Sequence, residues 1–365
     1  MKNICLISIL LFCLSGCALL QPKAVSVSES DVINNENLVE VSPDNYFEFI
    51  GLKKFTAEQI VDSMRAKQIE TITGNKALHA CSSVMKRDLG FEYVSPQYVN
   101  PNYSFITIIE SKKNYGITEK EFPSDSLETN TDWNIDGKDL NNFSNKIALS
   151  FFLQFLRTDG NKLSMKMKLI YNQFASAEEK EFTDGLLTHV NSLDMNEALP
   201  QARKTLQSDG NRVNRYWALL IMMRNKPTDD DLALIFDQFN YNDHSLKTYS
   251  TYILRETLKI REDVKWNLYR HDIKNIISGV SVWNYDELLK ILVKHYSDSN
   301  NSQYILNPSS PLLMDYLNAH LKKKSELAFN FIQQVSPEKI DNKKEANEWL
   351  ASQYQIISVD NSIYE

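Results

Sequence analysis

From about residue 139 onward, apolar residues return every three or four positions. Ile147, Leu149, Phe151, Phe155 and Leu156 open the pattern, and Phe182, Leu186, Leu187 and Val190 continue it. That spacing lays an apolar stripe along one face of a helix. Turn-forming clusters interrupt it at Asp159-Gly160-Asn161, Asp209-Gly210-Asn211, Pro227 with Asp229, Asp230 and Asp231, Asn242-Asp243 and Ser309-Ser310-Pro311. Ser176 followed by Glu179 has the spacing of a capping box. Helices joined by such short turns pack as antiparallel neighbours.

The pattern before residue 139 is mixed. Thr56 is placed to cap a helix whose Ile60 and Met64 share a face, and a second helix is expected from Asn75 to Arg87. Aromatic and β-branched residues then dominate in Phe91-Glu92-Tyr93-Val94 and in Tyr103-Ser104-Phe105-Ile106-Thr107-Ile108-Ile109, which predicts strands. Ser95-Pro96, Asn100-Pro101 and Phe122-Pro123 are the breakers between and after them. Residues 18–42 are rich in Ser, Asn and Glu and have no apolar period, which is the signature of a flexible tether.

Within the helical stretch there is a weak internal echo. Asn211-Arg212-Val213-Asn214-Arg215-Tyr216-Trp217-Ala218 corresponds to His244-Ser245-Leu246-Lys247-Thr248-Tyr249-Ser250, and Val213 and Leu246 are 33 residues apart. This resembles the HEAT-like helical repeats, clearest over 196–260 and extended over 139–340. Long aromatic side chains such as Trp217, where small residues are usual, and loss of the period after Ile260 are departures from that pattern. The resemblance implies stacked helix pairs with an extended binding face.

The chain opens with Lys2, an apolar run from Ile4 to Leu14, and Leu14-Ser15-Gly16-Cys17. This is the layout of an export signal, and the run is too short to span a bilayer, which takes about 20 residues. The tetrapeptide resembles the bacterial lipobox. That resemblance implies cleavage before Cys17 and lipidation of its thiol, with acyl chains such as palmitate as the membrane anchor. Ala18, in place of the aspartate of an inner-membrane retention signal, points to the periplasmic side of the outer membrane. Cys5 and Cys13 then leave with the signal, so Cys81 is the remaining thiol and no internal disulfide can form. The core must be apolar, and 42% hydrophobic residues can supply one. With a net charge of −7 and no basic stripe, nucleic acid is not the expected partner.

Motifs for chemistry are sparse. Asp132, Asn134 and Asp136 before Gly137 resemble the start of a calcium loop, yet its twelfth position is Phe143 in place of a glutamate, and an Asx-rich turn has the same pattern. Cys81 lies two residues from His79, a spacing that sends the two side chains in different directions on a helix. Ser83-Val84-Met85-Lys86 matches the Ser-x-x-Lys of penicillin-binding proteins without the later Lys-Thr-Gly. Glu110-Ser111 resembles the catalytic Glu-Ser of lytic transglycosylases, but it ends a strand. No metal site or cofactor is expected.

The expectation is a mainly α protein: an α-solenoid-like stack of antiparallel helix pairs following a small α+β N-terminal segment. Its parts are a signal peptide (1–16), a lipidated flexible tether (17–42), the α+β segment (43–138), a HEAT-like repeat domain (139–340) and a C-terminal helix and tail (341–365). The expected function is a non-enzymatic envelope lipoprotein that binds a protein partner in the periplasm or envelope through its repeat face. An immunity or inhibitor lipoprotein directed at a toxin or hydrolase, and a cell-wall hydrolase, are the alternatives. Oligomeric state is not legible.

Overall fold

A computed structural model describes residues 37–67, 75–124, 176–261, 263–306 and 310–360. The fold is mainly helical, with a small four-stranded sheet preceding the helical region. Strands β1 (Leu38–Ser42), β2 (Asn45–Ile50), β3 (Tyr93–Asn100) and β4 (Tyr103–Ile109) lie in the order β1-β2-β4-β3. The outer pairs are antiparallel and the central β2–β4 pair is parallel. Between β2 and β3 run α1 (Ala57–Arg65) and α2 (Asn75–Leu89). Thr56 and Gln59 close a reciprocal capping box at the start of α1, where Ile60 and Met64 are buried.

β1 begins at Leu38, inside the stretch that its polar composition assigned to the tether. Its pairing with β2, Leu38 opposite Glu48 and Val39 opposite Phe47, supplies the order that composition alone does not reveal. β4 is buried at all seven positions because both of its faces are covered. Ile106 and Ile108 pack with Ile60, Val61 and Met64 of α1, while Phe105 and Ile109 join the core of the helical region. After β2 the chain turns at Gly51 with φ +90°; a Cβ there would stand 2.0 Å from the Ile108 carbonyl oxygen, so only glycine fits.

The helical region runs through α3 (Ala177–Ser192), α4 (Met195–Ser208), α5 (Arg212–Arg224), α6 (Asp229–Asp237), α7 (His244–Leu258), α8 (Arg270–Ser278), α9 (Tyr285–His295), α10 (Ser302–Leu306), α11 (Ser310–Leu317), α12 (Lys322–Val335) and α13 (Lys343–Asp360). Its turns are made by the expected residues. Asn211 caps α5, Thr228 and Asp231 form a capping box on α6, and Asp243 caps α7. The helices form two layers: α4, α6, α8 and α10–α11 in one, and α5, α7, α9 and α12 in the other. α5 is buried from Asn214 to Met223 on every side, with Trp217 edge-on to His189 of α3 at 5.9 Å.

The sheet and the helices are not independent bodies. Ile50, Phe105, Ile109, Tyr115 and Ile117 belong to the same apolar cluster as Tyr216, Leu246 and Phe331. The segment after β4 crosses the turns of the stack. Thr118 N–H donates to Asn275 Oδ1 at 3.0 Å, Asn275 Nδ2 returns a bond to Thr118 O at 2.7 Å, and Lys120 N–H donates to Asn240 O at 2.7 Å. The 138/139 boundary itself lies outside the described residues, as do Asp159-Gly160-Asn161 and the start of the helical period.

Candidate functional site

Several residues singled out in the sequence have structural duties. The Glu110 carboxylate accepts from three consecutive backbone N–H groups, Lys53 at 2.8 Å, Lys54 at 3.0 Å and Phe55 at 3.3 Å. It therefore anchors the loop that leads into α1, in a nest of donors that occupies its lone pairs. Ser83 and Lys86 lie on α2, and the Lys86 ammonium stands 5.8 Å from the ring of Trp283. Cys81 and His79 are on the same helix, with side chains outside the described residues. Cys17, Asp132, Asn134 and Asp136 also lie outside them.

Buried charges, which no motif announced, form the seam between sheet and helices. Glu48 of β2 is fully buried and accepts from the Tyr103 hydroxyl, from His320 N–H at 2.5 Å and from Leu321 N–H at 3.1 Å. Burial pushes its carboxyl above the usual range, against the pull of those bonds. Lys324 of α12 donates to Asp286 and to Gln97 Oε1 at 2.5 Å, beneath β3. Lys247 of α7 donates to Glu119 and to Val280 O at 2.8 Å. Burial lowers both lysines below the usual ammonium range. For Glu119 burial works against the charge, but Lys247 and Lys112 outweigh it and hold the carboxyl below the ordinary range. These groups pair across the interior and fix how the sheet sits on the helices.

A half-buried strip of polar and aromatic side chains lies where α7 meets α9. On the otherwise buried α7, His244, Ser245, Thr248, Tyr252 and Arg255 keep solvent contact. Spacings of four, four and three from His244 through Thr248 and Tyr252 to Arg255 put these on one face. Trp283, just ahead of α9, stands 5.2 Å from the His244 ring, and Asn284 Nδ2 donates to Thr248 Oγ1 at 2.9 Å. Lower down, the Arg255 guanidinium lies 5.2 Å from the Tyr252 ring and bonds Glu256 and Glu287 at 3.0 Å each. Burial opposes the Arg255 charge, but those two carboxylates raise its pKa above the usual arginine value, so it is always a cation.

No family model, curated protein or solved structure matches the chain. The strip must therefore be read from its own chemistry. Two aromatic rings, an arginine held in place by two carboxylates, an imidazole and a hydroxyl lie on a rigid two-helix platform. Such a set gives large contact area with little rotamer entropy to lose, which is the composition of binding hot spots. Sequence reading expected binding on the repeat region 139–340 as a whole and named no such face, since Trp283 and His244 are 39 residues apart.

Proposed function

We propose that the protein is a lipid-anchored envelope protein, held by acyl chains on Cys17 at the periplasmic face of the outer membrane, that binds a protein partner through the α7–α9 strip. The observation that carries the reading is the alignment of Trp283, His244, Tyr252 and Arg255 across two neighbouring helices. Support for a repeat architecture comes from side-chain links at similar sequence separations. Arg224 donates to the Val190 carbonyl 34 residues earlier, Arg261 to the Pro227 carbonyl 34 residues earlier, and Lys247 to the Val280 carbonyl 33 residues later. The rings of Tyr216 and Tyr249, also 33 apart in the chain, meet at 4.5 Å between centroids, tilted by 31°. Such spacing suits stacked helix pairs. No helix among the described residues is long and apolar enough to cross a membrane, so membrane retention in this reading depends on Cys17.

Two variants test the parts separately. Cys17→Ser is expected to lose labelling by a fatty-acid analogue and to leave the membrane fraction; a labelled, pelleting variant refutes the anchor. The double variant Trp283→Ala with Tyr252→Ala is expected to stay membrane-bound and folded while losing about 100-fold or more in affinity for the partner crosslinked to the native chain, because each aromatic anchor is worth about 2 kcal/mol. Equal crosslinking by this folded variant refutes the strip.

A further inference from the structure

Tyr304 of α10 has three basic side chains of α8 around its ring. The Arg270 guanidinium carbon is 4.8 Å from the ring centroid, Lys274 Nζ is 5.1 Å away, and the His271 imidazole meets the ring edge-on at 5.8 Å. Arg270 and Lys274 are one helical turn apart and so share a face. The other arginines of the described helical region are occupied. Arg203 pairs with Asp231, Arg212 with Asp243, Arg255 with Glu287 and Arg261 with Asp229, while Arg215 and Arg224 bond backbone carbonyls. Arg270 and Lys274 form no ion pair among the described residues, in a chain of net charge −7. Asp272, the acid between them, turns away and accepts from Asn240 Nδ2 at 2.6 Å.

A guanidinium lying over a ring uses its π face there, and its N–H donors remain in the plane to bond a carboxylate in a fork. Two positions before Arg270 in the chain, in the turn Trp266–Tyr269, Leu268 is 55% exposed, well above the 42% of Tyr98. We propose that Arg270, Lys274 and Tyr304 with Leu268 form a second docking site, for an acidic peptide segment of a protein partner. A carboxylate of that segment seats on the guanidinium and ammonium, and an apolar neighbour packs on Leu268. A flat anionic bilayer is the poorer match: it attracts about 1 kcal/mol per basic residue, and two cations on a chain of net charge −7 fall short of the clusters of about four to eight that hold a protein there.

The inference rests on the protein-binding reading for the source of the segment, and its test is independent of the α7–α9 strip. The probe is a fluorescein-labelled peptide of mixed glutamate and leucine, followed by anisotropy with the chain from residue 17 carrying Cys17→Ser. Arg270→Glu is expected to weaken binding at least about tenfold, and Trp283→Ala to leave it within about twofold. Lys323→Glu, the same change of charge on an exposed side chain of α12, is also expected to stay within about twofold. Equal binding by native chain and Arg270→Glu overturns the proposal. So does a loss in Lys323→Glu as large as in Arg270→Glu, which marks a net-charge effect. Arg270-dependent flotation with phosphatidylglycerol vesicles, without peptide binding, overturns it in favour of a lipid surface.

Discussion

Leu246→Asp is expected to abolish the cooperative thermal transition of the whole chain. Leu246 is fully buried in the first turn of α7 and belongs to the cluster that joins the helical layers to β4. Removing the isobutyl group forfeits about 2–5 kcal/mol of packing, and a carboxylate at the same place adds several more for desolvation. The new charge also stands one turn from Asp243, whose Oδ1 already accepts from the residue-246 N–H at 2.7 Å. The total is comparable with the whole stability of an ordinary domain, about 5–15 kcal/mol. Because the cluster is shared, the sheet is expected to melt with the helices. Circular dichroism on heating checks this, with Leu246→Met as the volume-conserving control, expected within about 1.5 kcal/mol of native. A Leu246→Asp chain that still melts cooperatively near the native temperature contradicts this account of the core.

Arg215→Met is expected to cost about 3–5 kcal/mol, more than most surface or cavity changes in this chain. Its side chain is fully buried at the start of α5 without a carboxylate partner among the described residues. Its N–H groups reach Asp209 O at 2.6 Å, Leu206 O and Gln238 Oε1 at 2.8 and 2.7 Å, and the Tyr241 hydroxyl at 3.2 Å. The guanidinium also lies 4.1 Å from the Tyr241 ring, which stacks on Phe122 at 5.0 Å. One cation thus closes the last carbonyls of α4, reaches Gln238 in the turn Gln238–Asn240 after α6 and meets Phe122 of the segment that follows β4. Methionine fills similar volume and removes those four bonds from a dry interior, where an unmade bond costs more than a made one returns. Arg215→Lys is expected to recover less than half of the loss, since an ammonium has three donors for the four acceptors and no planar face to lay on the Tyr241 ring. Chemical denaturation of the three proteins measures both quantities; an Arg215→Met chain within 1 kcal/mol of native shows the network to be dispensable.

Much of the architecture could be read locally. The cap Thr56, the turns at Asn211 and Asp243, the helices from Asn75 and Ala177 and the strand Tyr103–Ile109 are legible because turn chemistry, capping and side-chain periodicity act over three or four residues. β1 was missed because a five-residue edge strand has too little apolar patterning to stand out from a polar leader. Glu110 looked catalytic in a two-residue motif, and its role in the fold depends on N–H groups 55 to 57 positions earlier.

The surface sites were less legible still. Trp283, Tyr252 and Arg255, or Arg270 and Tyr304, become a site only when one helix is laid beside another. Periodicity reports which residues avoid water, and it carries no information on which distant element they meet. The apolar pattern and the caps thus settled a mainly helical chain with a small mixed start. Strand order, the placing of the sheet over the helix turns, and the pairing of Lys247 with Glu119 across 128 residues and of Glu48 with His320 across 272 were decided by tertiary contact. The reason is energetic: a buried charge must find its partner wherever the fold brings one, so its pairing is a property of the assembled interior.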